Sequence, residues 1–130
     1  MPTHNTKVDS KGRIIIPNAF RETLGIKVGE NIEAYLDKEN ERIILFPIEK
    51  KTGKITICFS DKKGSLAKIA NILSENKVDF VYTSSRSTKR RKEAEWEIIA
   101  DFSNVNMNRL KSDLKKEKII STFKFEKLRK

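Results

Sequence analysis

The stretch Lys7-Val8-Asp9-Ser10-Lys11-Gly12-Arg13-Ile14-Ile15-Ile16-Pro17 decides how the first third of the chain folds. Its β-branched run Arg13–Ile16 predicts a short strand, which Pro17 ends because proline has no backbone N–H to donate to a sheet. A short helix is then expected from Asn18 to Leu24, with Asn18 as its N-cap and Gly25 in the left-handed conformation after its end.

A β-hairpin is predicted to follow this helix. Residues Asn31 to Leu36 alternate apolar and polar side chains, Asp37 to Glu41 form a turn, and Arg42 to Phe46 return as a second strand. A unit of about fifty residues with so few elements is too small to bury an adequate core alone. We therefore expect it to dimerise in order to fold.

A polar, Gly-containing stretch around residues 49–54 separates this unit from a second one. We place the domains at residues 1–50 and 54–130. The second domain reads as strand, helix, strand, strand, helix, strand, an order that predicts a ferredoxin-like fold. Its expected elements are Lys54 to Ser60, Ser65 to Glu75, Val78 to Ser85, Glu95 to Phe102, Asn106 to Lys116 and Ile119 to Glu126. The predicted fold class is α+β.

Charge is divided unequally between the two domains. The chain carries a net charge of +10. Residues 1–50 hold eight basic and eight acidic side chains, whereas residues 51–130 hold 20 basic and 10 acidic ones. Such a field favours a polyanionic partner, either nucleic acid or an anionic surface. Charge alone does not choose between the two.

Several function classes find no support in the residue pattern. No apolar run approaches the roughly 20 residues that span a bilayer, so we expect a cytoplasmic protein with no membrane partner. The single cysteine, Cys58, and the single histidine, His4, provide neither a metal-ligand cluster nor a nucleophile and base. We expect no enzyme activity, no catalytic residue, no metal and no cofactor.

The opening stretch resembles the SpoVT/AbrB DNA-binding domain over about residues 5 to 47. The resemblance rests on the Lys7–Pro17 block together with the blocks Leu24-Gly25-Ile26 and Val28-Gly29-Glu30 at the family's separation. It implies a swapped-hairpin β-barrel, in which two chains interleave their hairpins, and a double-stranded DNA partner. Carried over to this chain, the DNA-binding residues are Lys7, Lys11, Arg13 and Arg21. Asp9 and Gly12 are interpreted as structural, a turn carboxylate and a glycine at a tight bend.

The second half resembles an ACT domain, a small-molecule sensing module with the same element order. Asp61-Lys62-Lys63-Gly64-Ser65-Leu66 matches the family's D-x-x-G-x-L signature. The resemblance implies an amino-acid effector held at a dimer interface near Asp61, Gly64, Ser65, Leu66 and Asp79. Lys63 and Lys77 replace a proline and a glycine that many such domains carry. A module that only dimerises, with Asp61 as a helix N-cap, is the alternative.

A basic turn is predicted between the second and third strands of this domain. It offers a second contact with DNA phosphates, through Arg86, Lys89, Arg90, Arg91 and Lys92. A solvated tip that protects a sheet edge from aggregation is the alternative.

Together these features predict a DNA-binding transcription regulator that is a homodimer or homotetramer. Its second domain dimerises and is a candidate sensor of an amino acid or related small molecule. The alternatives are an antitoxin of a toxin–antitoxin pair and a regulatory subunit of a metabolic enzyme.

Overall fold

A computed structural model of the chain describes residues 1–47, 51–89 and 92–128. The chain divides into two compact units, Met1–Pro47 and Ile48–Lys130. The first contains one short helix and two strands, and the second contains a four-stranded sheet with two helices. The predicted α+β class is therefore confirmed. No helix within the described residues is long and apolar enough to cross a membrane.

The first unit consists of helix α1 (Asn18–Leu24) and an antiparallel hairpin of β1 (Ile32–Asp37) and β2 (Arg42–Pro47). Gly25 ends α1 in the left-handed conformation, with φ 67°, as predicted. The hairpin turn is closed by the buried carboxylate of Asp37, whose Oδ2 accepts hydrogen bonds from Asn40 Nδ2 and Arg42 Nε.

Two local predictions for this unit are wrong. Arg13–Ile16 does not form a strand, since the described chain places no strand beside it to complete a ladder. Asn18 is not the N-cap of α1. Pro17 occupies that position with φ −54°, and the Asn18 side chain instead donates to Glu22 Oε1 at 2.9 Å.

One face of the hairpin is apolar along its whole length. Cross-strand partners share a face, and the pairs Ile32 with Pro47, Ala34 with Leu45, and Leu36 with Ile43 all lie on this one. Leu36 and Ile43 are each 69% exposed. Phe46, on the opposite face, is the only buried hydrophobic residue among the described residues of this unit. The single chain thus forms an open hairpin rather than a closed barrel, and leaves an apolar sheet face uncovered.

The second unit has the predicted order of elements: strand, helix, strand, strand, helix, strand. Its elements are β3 (Thr52–Ser60), α2 (Ser65–Glu75), β4 (Asp79–Lys89), β5 (Glu93–Asp101), α3 (Met107–Lys116) and β6 (Ile120–Lys127). The sheet is antiparallel with spatial order β4-β5-β3-β6. This is the strand order of the ferredoxin-like fold.

Helices α2 and α3 cover one face of this sheet because each carries an apolar stripe at helical spacing. Ile69 and Leu73 of α2, and Leu110 and Leu114 of α3, are fully buried. They pack against inward-facing residues of the two central strands, including Ile55, Ile57, Phe59, Trp96 and Ile98. Asn106 caps α3 by accepting a hydrogen bond from the Arg109 backbone N–H at 3.2 Å.

The hairpin between β4 and β5 is longer than predicted. β4 continues to Lys89 and β5 begins at Glu93, so Arg86 and Lys89 lie in a strand rather than in a turn. Ladder pairs Arg86 with Glu95 and Ser87 with Ala94 extend the sheet here. Arg90 and Arg91 lie outside the described residues.

Candidate nucleic-acid interface

A tight turn from Asp9 to Arg13 organises the predicted DNA-binding stretch. The Asp9 N–H donates to the Arg13 carbonyl oxygen at 3.0 Å, and the Gly12 N–H donates to the Asp9 carbonyl oxygen at 3.0 Å. Gly12 has φ 78°, in the left-handed region that only glycine adopts without a Cβ penalty. The interpretation of Gly12 as a bend residue is confirmed.

The Asp9 carboxylate holds this turn from inside. Its Oδ1 accepts hydrogen bonds from the backbone N–H groups of Lys11 (2.9 Å) and Arg13 (2.8 Å). Its Oδ2 accepts one from Arg13 Nε at 2.7 Å. The Arg13 backbone N–H, followed by the Arg13 guanidinium, holds the pKa of Asp9 below its usual range. Asp9 is therefore ionised throughout the neutral range.

The hydrogen bond to Asp9 orients the Arg13 side chain. Its side chain is 71% exposed, and an ion pair so exposed adds little to stability. Only Nε is used by Asp9 among the donors of the guanidinium, and the two terminal nitrogens still carry four N–H groups. Asp9 thus fixes the plane of a guanidinium whose outer edge faces solvent, the geometry required for a phosphate or a guanine edge.

The four predicted DNA-binding residues are not all in one place. Lys7 and Arg13 line one open concavity of about 480 Å³, and exposed Lys11 lies on the turn beside it. Arg21 is half-buried, and its Nε donates to the Ile16 carbonyl oxygen at 3.1 Å. Arg21 therefore ties α1 to the segment before it, and only its terminal nitrogens remain for a ligand.

A second, apolar concavity of about 280 Å³ lies in the same unit. Its walls come from the segment before α1, from α1 itself and from the hairpin, and include Ile14, Ile16, Phe20, Leu24, Ile32 and Leu45. The His4 ring packs edge-on against Phe20, with 6.4 Å between ring centroids. An unfilled apolar concavity beside an uncovered apolar sheet face indicates a core that one chain does not complete.

The predicted ligand loop of the second unit makes its own hydrogen bonds. Asp61 Oδ2 accepts from Ser87 Oγ at 3.0 Å, so Asp61 links the loop to the β4–β5 hairpin. Ser65 is buried, and its Oγ donates to the Ser60 carbonyl oxygen at 2.7 Å while accepting from the Lys62 N–H at 3.2 Å. Gly64, with φ 86°, takes the N-cap position of α2 that the alternative interpretation gave to Asp61.

Asp79 is not brought to that loop within one chain. It pairs with Asp101 at the start of β4, the end of the sheet where β3 begins at Thr52. Asp61 follows the other end of β3, and this nine-residue strand spans about 26 Å at ~3.3 Å per residue. Asp61, Gly64, Ser65 and Leu66 lie together, whereas Asp79 lies at the opposite end of the unit.

The residues of the predicted basic arm differ in their surroundings. Arg86 is engaged, since its Nε and Nη2 both donate to Glu95 Oε2, at 3.0 and 2.8 Å. Lys92 is exposed. Within the described residues, no group of three or more His, Cys, Asp or Glu side chains is placed to hold a metal ion.

Sequence reasoning missed two features of these sites. Asp9 was interpreted as purely structural, although the D-x-x-x-R spacing across a glycine bend allows a carboxylate to reach the arginine four residues later. Lys62, Lys63 and Lys118 are absent from the predicted DNA-contact residues, although the βαββαβ order itself places the loops that carry them at one end of the sheet.

Comparison with known proteins gives one family match. Residues 6–53 match the family model described as antidote-toxin recognition MazE, bacterial antitoxin. No curated protein sequence matches the chain. Among solved structures, a formyltetrahydrofolate deformylase from Pseudomonas putida KT2440 is similar, with a TM-score of 0.49 and 9% identity. That similarity covers 59% of this chain and 29% of the deformylase chain, so less than a third of the deformylase is matched.

Proposed function

We propose that the chain is a DNA-binding transcription regulator that reads DNA with the Asp9–Arg13 turn of its first unit. The observation that carries the proposal is the arginine fixed by Asp9 within a stretch that matches the antitoxin family model. Lys7 and Lys11 flank Arg13 and supply phosphate contacts. Arg21 contributes through its terminal nitrogens from the last turn of α1.

Binding requires two copies of the first unit. The apolar hairpin face and the apolar concavity beside it supply the missing core when a second copy covers them. A two-fold pair presents two Asp9–Arg13 turns, which doubles the number of phosphate contacts. A swapped-hairpin barrel is the arrangement implied by the resemblance of this unit to the SpoVT/AbrB domain.

The second unit contributes dimerisation in this proposal, and the chain has no catalytic activity of its own. The alternative is that the second unit also binds an amino-acid effector. The hydrogen bonds within the 61–65 loop already engage Asp61 and Ser65, and one chain does not bring Asp79 to the loop, so the effector site gains no support from these contacts.

A second candidate function is that of an antitoxin, which the printed description of the matching family favours. Against it, the residues after the first unit fold into a packed sheet and helices, whereas antitoxins commonly wrap their toxins with a disordered tail. Gene deletion separates the two functions. An antitoxin is essential while the gene of its toxin remains and dispensable once both genes are deleted, whereas a regulator shows no such pairing.

The DNA-binding proposal is tested by titrating a labelled duplex with wild-type protein and with Lys11→Gln plus Arg13→Gln. The matched control, Lys27→Gln plus Lys38→Gln, removes the same charge from exposed positions of the same unit. Each lost phosphate contact lowers the slope of log affinity against log salt by about 0.9. Four contacts per dimer would thus lower the slope by roughly 3.6.

We expect the control to behave as wild type, with all three proteins showing the same circular dichroism and sedimentation. Equal slopes for wild type and the Lys11/Arg13 variant would refute the assignment of the DNA site to the Asp9–Arg13 turn.

A further inference from the structure

The topology of the second unit collects three separate chain segments at one end of its sheet. Segment 61–64 follows β3, residues 86–89 and 92–93 belong to the β4–β5 hairpin, and 115–119 includes the end of α3 and the turn into β6. Backbone hydrogen bonds join them: the Ser60 N–H donates to the Ile119 oxygen at 2.8 Å, and the Asp61 N–H donates to the Lys92 oxygen at 2.9 Å. We call these three segments the basic end.

Much of the excess charge of the chain belongs to the basic end. Its segments hold eight Lys and Arg residues and three Asp and Glu residues, a net +5 out of the +10 of the whole chain. Arg90 and Arg91 lie outside the described residues and are not counted. The concentration of positive charge is therefore local to one end of the unit.

The lysines of the basic end are available to a ligand. Lys62, Lys63, Lys116 and Lys118 are exposed, and none makes an ion pair within the part of the chain that the structure describes. The acids nearby do not neutralise them: Asp61 accepts from Ser87, and Glu95 binds Arg86. Unpaired like charges at one surface repel one another, and a bound polyanion relieves that repulsion.

The rest of the unit is closer to neutral: outside 61–64, 86–93 and 115–119, residues 51–130 hold ten basic and seven acidic side chains, a net +3. The sheet face away from the helices pairs Lys54 with Glu97 and Lys124 with Glu126. The opposite end of the sheet mixes exposed Lys51, Lys77 and Lys127 with acidic residues, including Asp79 and Asp101. A polyanion is thus directed to the basic end rather than to the unit in general.

From this arrangement we propose that the basic end is a second DNA-binding surface, which holds the phosphate backbone without reading sequence. The D-x-x-G-x-L loop, expected to bind an amino acid, then presents Lys62 and Lys63 to phosphates while Asp61 fastens it to the hairpin. A row of charges from three segments fits a repeating polyanion better than the single carboxylate of an amino acid. This inference rests on the proposed DNA-binding function and extends it to a second surface.

The test uses the full chain and a labelled duplex of about four helical turns. The variant Lys62→Gln, Lys63→Gln, Lys118→Gln removes three charges from the basic end. The control Lys51→Gln, Lys77→Gln, Lys127→Gln removes three exposed charges from the opposite end of the same unit, so both variants have the same net charge. Affinity is measured by fluorescence anisotropy over a range of salt concentrations.

We expect the control to keep the wild-type salt slope. The basic-end variant should lose about 0.9 of slope per broken phosphate contact, which corresponds to about eightfold in affinity per contact at 0.1 M salt. An equal loss in both variants would overturn the proposal, because it would reflect net charge alone. Unchanged DNA binding with lost binding to phosphatidylserine-containing vesicles would also overturn it and would identify a membrane surface as the partner.

The two DNA proposals fail separately in this design. If the Lys11/Arg13 variant loses slope and the basic-end variant does not, the first unit reads DNA and the basic end does not bind it. If only the basic-end variant loses slope, the second surface stands and the assignment to the Asp9–Arg13 turn is wrong.

Discussion

Covering the apolar hairpin face with a second chain has a measurable free energy. Leu36 and Ile43 are cross-strand partners, each 69% exposed in the single chain. Full burial of a Leu or Ile side chain is worth about 1.5–3 kcal/mol, so burying the exposed two-thirds is worth about 1–2 kcal/mol each. A two-fold dimer buries four such side chains, for about 4–8 kcal/mol in total. At 1.4 kcal/mol per tenfold, this is roughly 10³–10⁶ in the dimer dissociation constant.

The perturbation is Leu36→Lys plus Ile43→Lys, with Val28→Lys as the control. Val28 is 96% exposed and lies outside the hairpin. Sedimentation velocity over a range of protein concentrations reports the mass of the assembly. Urea unfolding at two protein concentrations reports whether the free energy of unfolding depends on assembly. We expect the double variant to form a smaller assembly and to have a lower free energy of unfolding, and the control to match wild type in both measurements.

Lysine on a truly solvent-exposed face changes stability by no more than about 0.5 kcal/mol. If the double variant keeps both the wild-type mass and a stability within that margin, the hairpin face is not an interface and the dimerisation argument fails.

Two further predictions concern carboxylates. Asp9→Asn removes the ion pair that orients Arg13, so DNA affinity should fall by about tenfold or more by anisotropy, equivalent to ~1.4 kcal/mol; an affinity equal to that of wild type would show that Arg13 needs no such orientation. Burial, followed by repulsion from Glu126, raises the pKa of Glu97, so this group binds protons more tightly in the folded chain than in the unfolded one. Stability that depends on Glu97 should therefore be full below its ordinary pKa and fall as pH rises above it. Glu97→Gln should gain stability relative to wild type between pH 4 and pH 7 in urea unfolding, and a difference independent of pH would contradict the assigned cause.

The sequence predicted those elements whose apolar periodicity is complete. Helix α2 begins and ends where expected because Ile69 and Leu73 repeat at helical spacing toward one buried stripe. The hairpin of the first unit was predicted because apolar and polar residues alternate on β1 and the turn signals lie between the strands. In each case local pattern and tertiary packing agree.

Predictions failed where a neighbour decides the conformation. Arg13–Ile16 has strand propensity, but a strand needs a neighbouring strand to hydrogen-bond with. Within the described residues, β1 and β2 pair with each other and neither pairs with Arg13–Ile16. The segment beyond Ser85 has a basic, polar composition typical of a turn, yet pairing with Glu93–Glu95 keeps Arg86 and Ser87 in β4. Composition does not reveal the strand that supplies those hydrogen bonds.

DNA contact by Lys7, Lys11, Arg13 and Arg21 stays a prediction, and the structure bears only on their placement. Lys7, Lys11 and Arg13 are close in sequence, and the Asp9–Arg13 turn keeps them near one another. Asp79 and Asp61 were grouped from a family resemblance, whereas the register of β3, β4 and β5 places them at opposite ends of the sheet. The βαββαβ order by itself already implies this, since Asp61 follows the end of β3 and Asp79 begins β4.

The distribution of charge implies a division of labour between the two units. Residues 1–50 are neutral overall, so the first unit attracts DNA only over the short range of its few oriented cations. The basic end carries a net +5 in its described residues, and its described arginine, Arg86, donates both Nε and Nη2 to Glu95, whereas Arg13 donates only Nε to Asp9. Phosphate contacts position a protein and base contacts specify its site. Affinity should therefore depend chiefly on the second unit and be strongly salt-dependent, whereas discrimination between sequences should depend on the first unit and persist as salt rises.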